Sequence, residues 1–175
     1  MQKEIRARLD SLPKTEASFV EPMECLSVSN LPEGLEWLWE IKFDGYRALA
    51  VKSGTGVALF SRRRKSLNSQ FPYIVEALAD LPAGTVVDGE VVAIDESGRP
   101  NFNLLQNFRA EASRIQYYVF DLLCWKDRDL TRVPLVRAAG AVEVPCGHSG
   151  QENQDRGLFR GGAKGSAIGG TRAEA

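Results

Sequence analysis

The chain has 175 residues, the length of a single domain, with 22 basic against 23 acidic residues and a net charge of −1. That balance excludes a global pull toward nucleic acid, so any contact with a polyanion must come from a local patch. Three widely spaced cysteines (Cys25, Cys124, Cys146) and a single histidine exclude a disulfide framework and a zinc cluster of familiar spacing.

No apolar run is long enough to cross a membrane, and the N-terminus is charged with no apolar signal core. A soluble, cytoplasmic protein in a reducing compartment is expected. Residues 1–20 are polar, with Ile5, Leu9 and Leu12 at helical spacing; they predict a short amphipathic helix or a linker that holds no chemistry. A globular body follows over 21–137. Residues 37–41 alternate like a strand. Residues 49–51 and 57–60 flank Ser53-Gly54-Thr55-Gly56, the pattern of a β-hairpin. Phe71, Ile74, Val75, Leu78 and Leu81 recur at helical spacing, with Pro72 in the first turn and Pro82 and Gly84 past the end.

Residues 85–95 are β-branched and predict a strand broken by Asp88-Gly89-Glu90, followed by a turn at Glu96-Ser97-Gly98. Residues 101–108 predict a short helix. An aromatic and aliphatic strand follows over 115–125, closed by a turn over 126–129. The class is α+β, mostly antiparallel strands with helices packed outside. Nine of the sixteen glycines lie from Gly140 onward, and neither strand nor helix periodicity persists there. Residues 138–175 cannot bury enough apolar surface to offset their ordering entropy, so disorder is predicted. His148 sits in that tail with no assigned role.

The sharpest chemical feature is Glu40-Ile41-Lys42-Phe43-Asp44-Gly45-Tyr46-Arg47. A lysine at a strand end is followed by Asp-Gly, which favours a tight turn, and an arginine returns five residues later. Nearby cations or a metal would lower the lysine pKa and free its lone pair for attack. A surface hairpin with a solvated lysine fits the same residues. Glu90 interrupts an apolar strand; it either needs a partner when buried or is an edge charge facing water. Phe120 reads as core when taken alone. Arg62, Arg63, Arg64 and Lys65 form a basic run, either a solvated loop or a set of phosphate contacts.

KxDGxR resembles the first motif of the covalent nucleotidyltransferases, an ATP-grasp-like fold of antiparallel sheets with flanking helices. The flanking runs FVEPMECL, WLWEIKFDGYRALA, FSRRRKSLN, VVDGEVVAIDESGRPNF and YYVFDLLCW, in this order, are similar to the ATP-dependent DNA ligases of bacterial end-joining systems. The likeness runs over residues 19–135. It implies that Lys42 attacks the α-phosphorus of ATP and carries AMP, and that Glu40 reads the adenine edge. Arg47 and Arg62 would hold the ribose and phosphate region of AMP or the DNA end. Glu90 would contact the ribose or help hold Mg2+ or Mn2+, and Phe120 would stack on adenine. Arg63, Arg64 and Lys65 are candidates for DNA phosphate. Nicked or broken double-stranded DNA is the implied partner, with end-joining proteins or fused polymerase and nuclease domains in the same system.

The likeness stops abruptly. The family's later Glu-Gly-x-Val-x-Lys and Lys-x-Lys motifs have no counterpart, since Lys164 is the only lysine after Lys126. The domain is therefore expected to be incomplete at its C-terminal side, with the residues from Val136 onward reading as out-of-frame translation after a frameshift or as a gene-model error. Two other readings share the core motif. One is an inactive remnant that binds nucleotide or DNA weakly. The other is an RNA ligase or capping-type nucleotidyltransferase.

Overall fold

Period-two alternation in three apolar runs decides the architecture. In the computed structural model, which describes residues 9–34, 37, 42–54, 56–107 and 114–134, those runs are the long strands of one sheet. In chain order the elements are β1 (Tyr46–Ser53), β2 (Gly56–Ser61), α1 (Pro72–Ala77), β3 (Thr85–Ala93), α2 (Phe102–Gln106), β4 (Ile115–Trp125) and β5 (Arg128–Asp129). The sheet has five strands in the order β2-β1-β3-β4-β5, and every pairing is antiparallel. The α+β class expected from the sequence holds.

β3 lies in the middle and is buried along nearly its whole length, so its run is apolar on either side of Asp88-Gly89-Glu90. One face carries Ala48, Ala50, Leu59, Val87, Val91 and Leu122. Leu67, Phe71, Ile74, Leu78 and Leu105 cover it from α1, α2 and the adjoining loops. The Tyr117 ring is buried on this side, and its hydroxyl donates to the carbonyls of Ala48 (2.7 Å) and Val87 (3.3 Å). A buried phenol thus keeps a partner. The opposite face is divided. Leu49, Val51, Val86, Leu123 and Cys124 pack beneath Ala17, Phe19, Val20 and Phe60. The remainder of that face, toward the start of β1, carries polar side chains.

Several expectations need correction. Asp88-Gly89-Glu90 does not break the third strand; β3 runs through it in regular register with β1, and the irregularity lies on β4, where Phe120 is the extra residue opposite Asp88 and Gly89. A bulge of this kind re-aims side chains without ending the ladder. The helix foreseen over 71–81 is confined to α1, with Pro72 in its first turn. The turn foreseen over 126–129 is tighter: Lys126 and Asp127 take left-handed φ of 51° and 59°, and Arg128–Asp129 already return as β5. Such a pair matches the twist of a two-residue hairpin.

Residues 9–11 are helical, but the chain from Lys14 is extended. Lys14 bridges to Arg128, and the Thr15 N–H donates to the Asp127 carbonyl. Trp37 is not in a strand. The rest of the strand expected at 37–41, residues 1–8 of the N-terminal segment, Phe108 of the helix, and the 138–175 tail with Cys146 and His148 lie outside the described residues. The hairpin at Gly54 and β4 match the sequence reading, and a short helix stands within 101–108 as α2, with Asn101 as its cap.

Candidate functional site

The polar end of the open face is built where the 42–45 segment enters β1. Lys42, Phe43 and Asp44 are not in a strand, and Lys42 is exposed. The Phe43 ring stacks on Tyr118 of β4, with centroids 4.2 Å apart and 23° between planes. Gly45 does not have a left-handed φ, so the tight-turn role expected of Asp-Gly is not why glycine stands here. A Cβ at this position would run into the Val91 carbonyl and press on the Glu90 side chain. The glycine permits a close approach of the loop to β3.

Alternation along β1 and β3 then places Arg47, Asp88 and Glu90 on one face, with Arg47 opposite Glu90. Arg47 is held as a fork: Nε donates to Asp88 Oδ1 (3.2 Å) and an Nη donates to Oδ2 (2.7 Å). Its other Nη donates to the Met23 carbonyl (2.6 Å), and the guanidinium lies 5.4 Å from the centre of the Phe120 ring. The pair is nearly dry on the acid side, with side-chain exposures of 24% for Arg47 and 4% for Asp88. Burial works against the arginine's charge, yet hydrogen bonding to Asp88 and its negative charge raise the Arg47 pKa above its ordinary value.

Glu90 is half-buried. Burial pushes its carboxyl up to about 7, against the Gly45 N–H and the charges of Arg47 and Lys42, which pull it down. Asp88 adds a smaller upward push. The carboxylate that the sequence marks as needing a partner thus faces the loop glycine and two cations.

Lys42, Arg47, Glu90 and Phe120 come together on this face; Glu40 lies outside the described residues. Arg62 stands in the exposed loop after β2 and meets Glu24 at 3.3 Å, with both side chains largely in solvent. Arg63 and Lys65 share that loop and are exposed. Arg64 takes a left-handed φ of 58°, and its guanidinium lies 5.4 Å from the centre of Phe19. Residues 23 and 24 therefore touch both arginines expected to hold nucleotide.

Sequence reasoning missed Asp88, Phe43 and Tyr118 as members of the site. A period-two reading of Asp88-Gly89-Glu90 puts Asp88 beside Glu90 and would have found the first. Among the described residues no group of three or more His, Cys, Asp or Glu side chains converges as a metal site. A Mg2+ ion bound through one carboxylate and substrate phosphates needs no such group, and Glu90 suits that arrangement. The face offers an exposed amine, a fixed guanidinium, a carboxylate able to accept from a hydroxyl, and aromatic rings. Those are the parts needed to seat a nucleotide and attack its phosphate.

Comparison with known proteins identifies the family. The profile of the ATP dependent DNA ligase domain matches residues 22–143. The multifunctional non-homologous end joining protein LigD of Mycolicibacterium smegmatis is 38% identical over 98 residues, covering 55% of this chain and 13% of that protein. Its namesake in Pseudomonas aeruginosa is 35% identical over 124 residues, covering 69% and 15%. The SPbeta prophage-derived DNA ligase-like protein LigB of Bacillus subtilis is 32% identical over 120 residues, covering 67% and 44%. A solved mycobacterial DNA ligase D, complexed with ATP and MES, superposes with a TM-score of 0.54 at 31% identity, over 74% of this chain and 40% of that one. The chain thus spans less than half the length of each of these relatives. No helix among the described residues is long and apolar enough to cross a membrane. The chain belongs to the ATP-dependent DNA ligase domain family.

Proposed function

We propose that this family member carries out the adenylation half of DNA ligase chemistry, with Lys42 as the nucleophile. The Lys42 Nζ lone pair attacks the α-phosphorus of ATP. A P–Nζ bond forms, the bond to the pyrophosphate oxygen breaks, and the amine's proton leaves to solvent. Phosphoryl transfer of this kind depends on positioning and charge stabilisation more than on covalent help from the protein.

Arg47, fixed by Asp88, presents its cation to the ribose and phosphate region, and Glu90 accepts from a ribose hydroxyl. Phe120 supplies an aromatic face for adenine, and Glu40 reads the base edge. When bound, Mg2+ or Mn2+ would neutralise charge on the triphosphate, with Glu90 as the protein carboxylate in reach. In the complete ligation that the resemblance implies, the AMP would pass to the 5′-phosphate of nicked or broken double-stranded DNA and be displaced by a 3′-hydroxyl; with the family's later lysine motifs missing from this sequence, adenylation is expected to be impaired. Arg62, Arg63, Arg64 and Lys65 line the exposed loop available to DNA phosphates.

Residues 21–137 are the proposed unit, with the extended segment from Lys14 as its cover. Its setting is cytoplasmic end joining in repair and recombination, alongside end-joining proteins or fused polymerase and nuclease domains. The non-homologous end joining in which the LigD relatives act supports that setting.

The observation that carries this reading is the convergence of Lys42, Arg47 and Glu90 at the start of β1, within the segment that matches the family. The test is incubation with ATP labelled at its α-phosphorus and Mg2+ or Mn2+, comparing wild type with Lys42→Ala. Acid-labile, denaturation-stable label in wild type that vanishes in the variant is expected. A folded wild-type protein that takes no label would leave nucleotide holding as its most that this face does.

A further inference from the structure

Lys42 lies outside every strand and its side chain is exposed, so the sheet ladder alone does not fix where its amine stands. Two contacts flank it. Three residues on, Gly45 presses against β3. Immediately next to it, Phe43 stacks on Tyr118. Tyr118 is itself set by the β3–β4 ladder, where it faces Glu90, and its hydroxyl donates to Gln116 Oε1 at 2.7 Å. Neither Phe43 nor Tyr118 belongs to either apolar core, so core packing does not account for the stack.

We propose that Phe43 and Tyr118 are positioning residues, a two-ring clamp that holds the Lys42 loop against β4 so that the amine stands over Arg47 and Glu90. The inference rests on the reading of Lys42 as the nucleophile. Consecutive Cα atoms are about 3.8 Å apart, so a ring fixed at Phe43 limits the Lys42 backbone to a small region. Productive attack needs reacting atoms within about 3–3.5 Å. Loss of the clamp should therefore slow the bond-forming step more than it weakens ATP binding.

The experiment uses the full chain with Phe43→Ala, Tyr118→Ala, the double variant, and Phe43→Tyr, which keeps a stacking ring. Lys42 adenylation is followed across ATP concentrations. Backbone hydrogen exchange is followed in parallel for residues 42–46, with the β3 segment as folding control. Each alanine variant is expected to lower the maximal rate about three- to tenfold, the size that coupling within an aromatic pair supports, at unchanged half-saturating ATP. The double variant should be no slower than either single one, and Phe43→Tyr should restore the rate. Exchange should rise at 42–46 in both alanine variants while β3 stays protected.

Additive losses in the double variant would overturn the clamp. So would a lower half-saturating ATP at constant maximal rate, since the Phe43 ring would then occupy the nucleotide's place. Unchanged exchange at 42–46 would overturn it as well. That last readout stands without catalysis: a wild type that takes no label but shows the exchange pattern strikes the adenylation reading and leaves the clamp intact.

Discussion

Arg47→Ala is the most informative single substitution. It strips a bidentate guanidinium from Asp88, whose side chain is only 4% exposed, and it frees the Met23 carbonyl. Removing one member of a buried ion pair costs about 3–5 kcal/mol, because the remaining charge loses its compensation. Arg47 is 24% exposed, so water softens the loss, and about 2–3 kcal/mol is expected. Lost contact with the Phe120 ring adds about 0.5–1 kcal/mol at such a site.

The assay is urea denaturation of the full chain. At a slope of about 1–3 kcal/mol per molar urea, a loss of this size moves the midpoint by roughly 1–4 M. The second arm is Arg47→Ala combined with Asp88→Asn. Replacing both partners is cheaper than orphaning one, so the double variant should recover about 1 kcal/mol relative to Arg47→Ala alone. Arg47→Lys should recover little, because an ammonium cannot reproduce the fork. Strict additivity in the double variant would refute the reasoning, since the two side chains would then contribute independently.

Glu90 makes stability depend on pH in a stated direction. Its folded pKa is raised to about 7 from an ordinary value of 4.5, so the folded state holds the proton more tightly than the unfolded chain. The contribution is fully present below pH 4.5 and is lost as pH rises through 7. Glu90→Gln should flatten this part of the thermal-melt profile; an unchanged slope between those limits would show that Glu90 is not the group responsible. Gly45→Ala drives a Cβ into the Val91 carbonyl. A loss of about 1–3 kcal/mol is expected from this overpacking, together with loss of Lys42 adenylation, read by melting and by the labelling assay. A variant as stable as wild type would mean that the loop relaxes away from β3.

Much of the fold is legible because the long strands obey simple patterning. β4 coincides with its aromatic and aliphatic run, and the hairpin at Gly54 follows its glycine-rich turn. The short helix foreseen over 101–108 is α2, and the structure adds its cap, Asn101 accepting from the Leu104 N–H. Other features depend on partners distant in the chain. β5 is two residues long and exists because Asp129 and Arg128 pair back onto Cys124 and Trp125; no periodicity marks so short a strand. The segment after Lys14 reads as linker because the one buried side chain over residues 15–20, Ala17, is small and flanked by polar residues. At the site, Lys42, Arg47 and Glu90 are visible through resemblance. The Arg47–Asp88 fork joins residues 41 positions apart, and the Phe43–Tyr118 stack joins different elements. Only tertiary structure brings such pairs together.

The central place of β3 has a consequence for how this chain tolerates change in length. Val87, Val91 and Ala93 face the helices, while Asp88 and Glu90 face the site, and the unshifted register with β1 fixes which is which. Core and chemistry are one alternation seen from its two sides. Deleting a single residue within β3 would turn two carboxylates under the helices and bring valines to the nucleotide face, so both properties would fail together. The turns at Gly54 and Gly98, where nothing crowds the glycine, carry no such coupling. Insertions are free to accumulate there, while β3 has to keep its residue count as strictly as a reading frame.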